Sequence, residues 1–176
     1  TNIAPHNLRE VVSALKALLS NREIPLEELM RHLPGPDFPS GGRIIGLDGI
    51  RDAYATGRGS FKVRARASIE RVSARRRGIV ITELPYNITT QGLIESIEKA
   101  ARAGKLKIAA INDYTAERVE VEIKLARGVY AEETIDALYA FTDCEMSISP
   151  NMVVIAQNLP CQMRVEDVLR RNTQLL

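Results

Sequence analysis

The strictest constraint on the fold is the alternation Phe61-Lys62-Val63-Arg64-Ala65-Arg66-Ala67. Successive side chains point to opposite faces of a strand, so Phe61, Val63, Ala65, Ala67 and Ile69 share one face while Lys62, Arg64 and Arg66 share the other. Such a strand buries one side, wets the other and needs a neighbour. After a turn near Ser73 to Arg76, the run from Gly78 to Leu84 supplies an antiparallel return strand. A second unbroken alternation, Arg118 to Leu125, predicts another strand of a sheet wet on one face.

Helical spacing surrounds these strands. Asn7 is placed as an N-cap with Glu10 at capping-box spacing, and Val11, Val12, Leu15, Leu18 and Leu19 then recur as a stripe, predicting a helix over about 8–20. Pro25 suits the first position of a short helix ending at Leu33, before the loop Pro34 to Gly42. Ile44, Ile45 and Leu47 suggest a strand, and Asp48 is the expected cap of a helix that Gly57 ends. Thr89 or Thr90 caps a helix with Leu93, Ile94, Ile97 and Ala101 inward, stopped by Gly104. Lys105 to Ile111 is ambiguous. Ala131 to Phe141 reads as a helix, Cys144 to Ile155 as strand despite Pro150, and Glu166 to Leu175 as a final helix. The order implies an α+β fold with an antiparallel or mixed sheet and flanking helices.

A chain of 176 residues suits one domain that buries its core without disulfide or metal support, with a trailing element at its end. Cys144 and Cys161 have no Cys-x-x-Cys spacing and no nearby histidine, so both are expected to be free, buried thiols. No apolar run approaches the roughly 20 residues that span a bilayer, and no signal pattern opens the chain, so a cytoplasmic setting is expected. The sequence starts at Thr1 without a methionine, which suggests a piece of something longer.

Charge is uneven where it matters. Residues 58–77 carry Arg58, Lys62, Arg64, Arg66, Arg71, Arg75, Arg76 and Arg77 against Glu70 alone, +7 in a chain whose net charge is +2. Alternate cations on a strand lie about 6.6 to 7 Å apart, close to the phosphate spacing of a nucleic-acid backbone. A local basic strip steers an anionic partner to one surface; a solvated strand face with an arginine-rich hairpin tip has the same pattern.

Catalytic constellations are harder to find. His6 and His32 lack metal-ligand spacing; Asp113, Glu117, Glu120 and Glu122 are acidic neighbours, but Glu120 and Glu122 alternate with Val and Ile and read best as a solvated strand face, which leaves metal binding there as the weaker reading. Gly41-Gly42-Arg43 lacks the lysine and helix of a phosphate-cradling loop. Tyr54, Tyr86, Tyr114, Tyr130 and Tyr139 are candidate nucleophiles only in principle, since a phenol needs an adjacent base, cation or metal and none has one in its local sequence. Tyr139 falls on the packing side of its helix.

Four segments together carry a resemblance: Thr1-Asn2-Ile3-Ala4-Pro5-His6-Asn7-Leu8, Pro34-Gly35-Pro36-Asp37-Phe38-Pro39, Tyr54-Ala55-Thr56-Gly57-Arg58-Gly59 and Thr82-Glu83-Leu84-Pro85-Tyr86. In order and spacing, over nearly the whole chain, they resemble the bacterial type IIA topoisomerase A subunits, the family that comprises those of DNA gyrase and of topoisomerase IV. Asn112-Asp113-Tyr114-Thr115 departs from the family's Arg-Asp-Glu-Ser-like run, with Asp113 alone matching. Cys144 to Asn151 resembles the topoisomerase IV members more than the gyrase members.

The resemblance implies a tower, or shoulder, domain of the breakage-reunion core over 1–163, with 164–176 starting the coiled-coil helix. It implies a parent enzyme that changes DNA topology by ATP-dependent double-strand passage. The implied partners are double-stranded DNA, the topoisomerase B subunit, and a further copy of the A subunit, with no membrane. Magnesium and ATP belong to the B subunit, no cofactor to this chain, and the location is cytoplasmic, with the nucleoid. The family's catalytic tyrosine follows an arginine upstream of the Thr-Asn-Ile motif. None of the five tyrosines here follows arginine, so an inactive, DNA-supporting fragment is expected. Arg58, Lys62, Arg64 and Arg66 are then backbone contacts to bent gate DNA, binding without sequence preference. The alternative is a structural module docking the partner subunit through the same strip.

Overall fold

The computed structural model describes residues 2–73 and 76–174, so Ala74 and Arg75, within the expected turn, and Leu175, the expected end of the last helix, lie outside the described residues. Six helices and nine strands are assigned among them: α1 Leu8–Ser20, α2 Leu26–His32, β1 Arg43–Ile45, α3 Asp48–Thr56, β2 Phe61–Arg64, β3 Arg66–Ser73, β4 Arg76–Glu83, α4 Thr90–Arg102, β5 Ile108–Asp113, β6 Val121–Leu125, α5 Ala131–Phe141, β7 Glu145–Ile148, β8 Val153–Ala156, β9 Leu159–Gln162 and α6 Val165–Gln174. The fold is α+β, and every pairing whose register is defined is antiparallel. Two compact units divide the chain, Thr1–Phe38 with Gly46–Phe61 and Ser147–Leu176, and Pro39–Ile45 with Lys62–Met146.

In the first unit, the Asn7 side chain accepts the Arg9 N–H at 3.0 Å, as an N-cap should, and α1 buries Ala14 and Leu18. Val12 and Leu19, expected on the inward stripe, are exposed, as is Leu8. Pro25 occupies the cap position of α2 rather than its first turn. Asp48 is likewise the first residue of α3 and not its cap, a position held by Leu47 without a side-chain bond; an acid in the first turn still complements the helix dipole. Gly57 ends α3 with φ of 83°, as its sequence position implies.

The expected strand Cys144 to Ile155 is two strands, β7 and β8, separated around Pro150, whose missing N–H cannot extend a ladder. β8 returns as β9 through Gln157 and Asn158, both at positive φ. That two-residue turn has the backbone of a type I′ hairpin but no glycine, which is why the sequence conceals it. α6 packs with α1 and α3, burying Val165 and Leu169, and Arg170 joins Glu166 at 2.6 Å and donates to the Arg22 carbonyl.

The second unit is built on the four-stranded sheet β3-β4-β6-β5. Ile79 and Ile81 of β4 pair with Ile123 and Val121 of β6, and these side chains are fully buried with Leu93 and Ile97 of α4 and Leu138 of α5. Alternating burial along β6 follows the alternating sequence, although the strand starts at Val121 rather than Arg118. Thr89 Oγ1 accepts the Gly92 N–H at 3.1 Å and fixes the start of α4.

The basic run is not one strand. It breaks at Ala65, and β2 joins the sheet β1-β2-β7 while β3 joins the four-stranded sheet. Ala65 is held at the break, its N–H donating to the Cys144 carbonyl at 2.7 Å and its own carbonyl accepting the Tyr139 hydroxyl at 3.1 Å. An irregularity in register follows at once, between Arg66 and Ala67. Val63 and Ala65 are buried as predicted, but Ala67 and Ile69 are only half-buried.

Candidate nucleic-acid interface

β1 and β2 pair so that Arg43 lies opposite Arg64, Ile44 opposite Val63 and Ile45 opposite Lys62. Directly opposed residues project from the same face, which adds Arg43 to the side carrying Arg64. The sequence reading missed Arg43. Its signal was the short apolar strand beginning at Ile44, which needs an edge to pair with and finds the basic strand.

A carboxylate sits among these cations. Glu145, on β7, has a side chain only 12% exposed and receives Lys62 Nζ at 2.8 Å on one oxygen and Arg64 Nε at 2.6 Å on the other. The Lys62 hydrogen bond, and then that of Arg64 with both positive charges, hold its carboxyl below the usual carboxylate range against the opposing effect of burial. The Arg64 guanidinium also lies over the Tyr139 ring, 4.5 Å from its centroid. Arg64 is therefore fixed by an acid and a ring, while Arg43 makes no ion pair among the described residues.

Arg66 is oriented differently. Its Nε meets Glu83 Oε1 at 3.1 Å, and Glu83 Oε2 accepts the Gly42 N–H at 2.7 Å. Gly41 has φ of 73°, and a Cβ there would sit 2.6 Å from Glu83 Oε2. The Gly41-Gly42 pair thus makes a tight turn against a carboxylate. Arg58, in the first unit, is exposed and without an ion pair among the described residues; its N–H and carbonyl are both bonded to Thr56 Oγ1, at 3.2 and 2.9 Å. Of the four predicted contacts, Lys62 and Arg64 come together on Glu145, Arg66 goes to Glu83, and Arg58 belongs to the other unit.

The tyrosines are not activated where their surroundings can be read. Burial raises the phenol of Tyr54, whose hydroxyl meets His6 Nε2 at 2.7 Å. Burial, followed by the nearby Cys144, raises that of Tyr139 despite Arg64. Both shifts oppose nucleophilic chemistry near neutral pH. Among the described residues no group of three or more His, Cys, Asp or Glu side chains is disposed to hold a metal. Cys144 is buried and pushed up to about 11 by desolvation, whereas Cys161, expected to be buried, is only partly so because it lies on the β8–β9 ribbon.

The departure at Asn112 to Thr115 is a loop closure. Asp113 Oδ1 accepts the Thr115 N–H at 2.9 Å, Thr115 Oγ1 accepts the Glu120 N–H at 3.1 Å, and the Tyr114 N–H reaches the Glu120 carbonyl at 2.8 Å. Thr115 holds the Asp113 carboxyl below its ordinary range, through its side chain first and its backbone second.

An α+β chain with a cation-bearing strand clamped to an internal acid is the class that fold and site define. The family model for the A subunits of DNA gyrase and topoisomerase IV matches residues 1–175, and this chain belongs to that family. It is 38% identical over 190 residues to the DNA gyrase A subunit of Chlamydia pneumoniae, covering 99% of this chain and 22% of that protein. It is 40% identical over 168 residues to the DNA topoisomerase 4 A subunit of Borreliella burgdorferi, covering 96% of this chain and 24% of that protein. The DNA gyrase A subunit of Mycolicibacterium smegmatis is 40% identical over 177 residues, covering 97% and 21%. The chain thus spans between a fifth and a quarter of the length of these relatives. No helix among the described residues is long and apolar enough to cross a membrane.

Proposed function

We propose that this chain supports the bent arms of gate DNA as one part of a type IIA topoisomerase. The parent enzyme passes one duplex through another with hydrolysis of ATP; a B subunit holds Mg²⁺ and ATP, and a second A subunit completes the gate. The catalytic tyrosine lies outside this chain. The observation that carries the reading is the face bearing Arg43, Lys62 and Arg64 in a chain matched over its whole length to this family. Bending a duplex costs on the order of 1 to 10 kcal/mol, and cations placed against its backbone offset that cost without reading sequence.

Glu145 does not abolish this capacity. It takes one donor of Lys62 and the Nε of Arg64, leaving two ammonium hydrogens and the terminal guanidinium nitrogens for phosphate oxygens. Fluorescence anisotropy with a duplex of about 30 base pairs between about 50 and 200 mM salt tests the assignment. Arg43→Gln, Arg58→Gln, Lys62→Gln and Arg64→Gln are each expected to lower the slope of log K against log salt by about 0.9. Slopes equal to that of the unaltered protein overturn it.

The second reading, a module docking the partner subunit, is favoured by one observation: Lys62, Arg64 and Arg66 each already have a carboxylate of this chain. Crosslinking from position 64 in the assembled enzyme separates the two, because a nucleotide adduct and a peptide adduct differ in mass.

A further inference from the structure

Besides Arg43 and Arg58, a further group of cations lacks an ion pair among the described residues. Arg71, Arg76, Arg77 and Arg127 are exposed and make no ion pair among the described residues. Arg71 and Arg77 are directly opposed across β3 and β4, two positions beyond the opposed pair Ile69 and Ile79. They therefore continue the apolar face of that hairpin past the end of the core, with Cβ atoms about 4.5 to 5.5 Å apart. Like charges so placed destabilise the strand pairing unless something neutralises them.

Arg76, Arg77 and Arg127 line a concavity of about 390 Å³ together with Leu125 and Tyr130, which is 70% exposed. Glu132 is the one carboxylate among the described residues of the lining. The positive end of α5 is already answered by Glu132 and Glu133 in its first turn, so the arginines and not the helix terminus define the feature. Three arginines line one concavity, and Arg71, opposed to Arg77 on β3, adds a fourth charge to a local field that favours an external anion.

We propose that this concavity is a second phosphate site, occupied by the phosphodiester backbone of nucleic acid. Guanidinium groups match phosphate oxygens two at a time. Their spread over two strands and the loop before α5, reaching Arg71 outside the concavity, matches a row of phosphates better than a single anion. Tyr130 offers an uncovered ring against a sugar or base. The proposal shares only its nucleic-acid partner with the function proposed above, and no residue is common to both.

The test uses the whole chain and the same duplex. Arg77→Gln with Arg127→Gln is expected to lower the salt slope by about 1.8, with the melting temperature held or raised as like-charge repulsion is relieved. Arg77→Lys with Arg127→Lys keeps the charge and is expected to restore the slope. An unchanged slope in the Gln pair, or no restoration in the Lys pair, overturns the proposal. Titration with pyrophosphate, followed by amide NMR at residues 126–132, provides a further arm. Shifts there that vanish in the Gln pair, while duplex binding is untouched, assign a free anion and also overturn it. Because the variants at 43, 58, 62 and 64 are measured separately, failure of either set leaves the other interpretable.

Discussion

Replacing Glu145 by Gln preserves its shape and removes its charge. The lost interactions are Lys62 Nζ at 2.8 Å and Arg64 Nε at 2.6 Å, whose side chains are 58% and 36% exposed while Glu145 is 12% exposed. An exposed pair such as that with Lys62 contributes about 0 to 1 kcal/mol. The shielded, charge-assisted bond to Arg64, backed by the Tyr139 ring, belongs nearer the range of about 1.5 to 3 kcal/mol. The amide oxygen of Gln retains part of that bond, so the expected loss is about 1 to 2 kcal/mol, or about 2 to 8 °C in melting temperature for a chain of this size. The sign of the pH dependence follows from the carboxyl's depressed folded pKa. Its contribution is fully present above the unfolded value near 4.5 and is lost as pH falls through the lower folded value. Circular-dichroism melts of both proteins from about pH 7 to about pH 3 should therefore show a gap that is constant above about pH 5 and closes on acidification. Equal melts at neutral pH, or a gap that widens in acid, refute the clamp.

His6 and Tyr54 make a second test. Because the Ala4 carbonyl can only accept, His6 Nδ1 donates to it at 2.8 Å and Nε2 accepts from Tyr54. Tyr54→Phe strands that nitrogen and is expected to cost about 1 to 3 kcal/mol in urea denaturation. Burial lowers the His6 pKa, so its contribution is complete above the unfolded value of 6.5 and is lost as pH falls through the lower folded value; His6→Gln should flatten that part of the stability profile. Gly49→Ala would place a Cβ 1.8 Å from the Ser60 carbonyl oxygen, and a loss of about 2 to 4 kcal/mol or failure to accumulate is expected. Cys161 should be alkylated by iodoacetamide well before Cys144, a difference read by peptide mass and lost if the protein is first unfolded.

Residues whose neighbours in sequence decide their conformation were legible. Asn7 caps α1, Thr89 caps α4, Gly57 ends α3, and the alternation of β6 matches its burial. Long-range partners were not. Nothing local announces that Ala65 will hand the basic run from one sheet to another, because the backbone bonds that do so come from Cys144 and Tyr139, far along the chain. The same distance hides Glu145 from Lys62 and Arg64. In the sequence it is one acid in Cys144-Glu145-Met146, while in the fold it sets the orientation of two cations. The β8–β9 hairpin escaped for a local reason, its turn being made by Gln157 and Asn158 in a backbone conformation usually marked by glycine.

Counting charge along the chain ranks the ladder above every other basic feature, yet pairing inverts the order. Lys62, Arg64 and Arg66 commit part of their capacity to Glu145 and Glu83, and what remains is oriented rather than free. A fixed cation loses little side-chain entropy when a phosphate arrives, so the clamped strand suits a backbone held in one bent path. Arg71, Arg76, Arg77 and Arg127 are the opposite case, without ion pairs among the described residues and mutually repelling, which favours attraction over positioning. The two proposed sites should therefore separate kinetically. Gln substitutions at 77 and 127 should act mainly on the association rate and its salt dependence, because steering depends on net field. Glu145→Gln removes one negative charge and so should speed association slightly, but its larger effect is expected on dissociation, because it loosens cations without removing them. Stopped-flow measurements with the duplex at about 50 and 150 mM salt read both rates. If the Gln pair changes only dissociation, or Glu145→Gln only association, the division of labour is wrong.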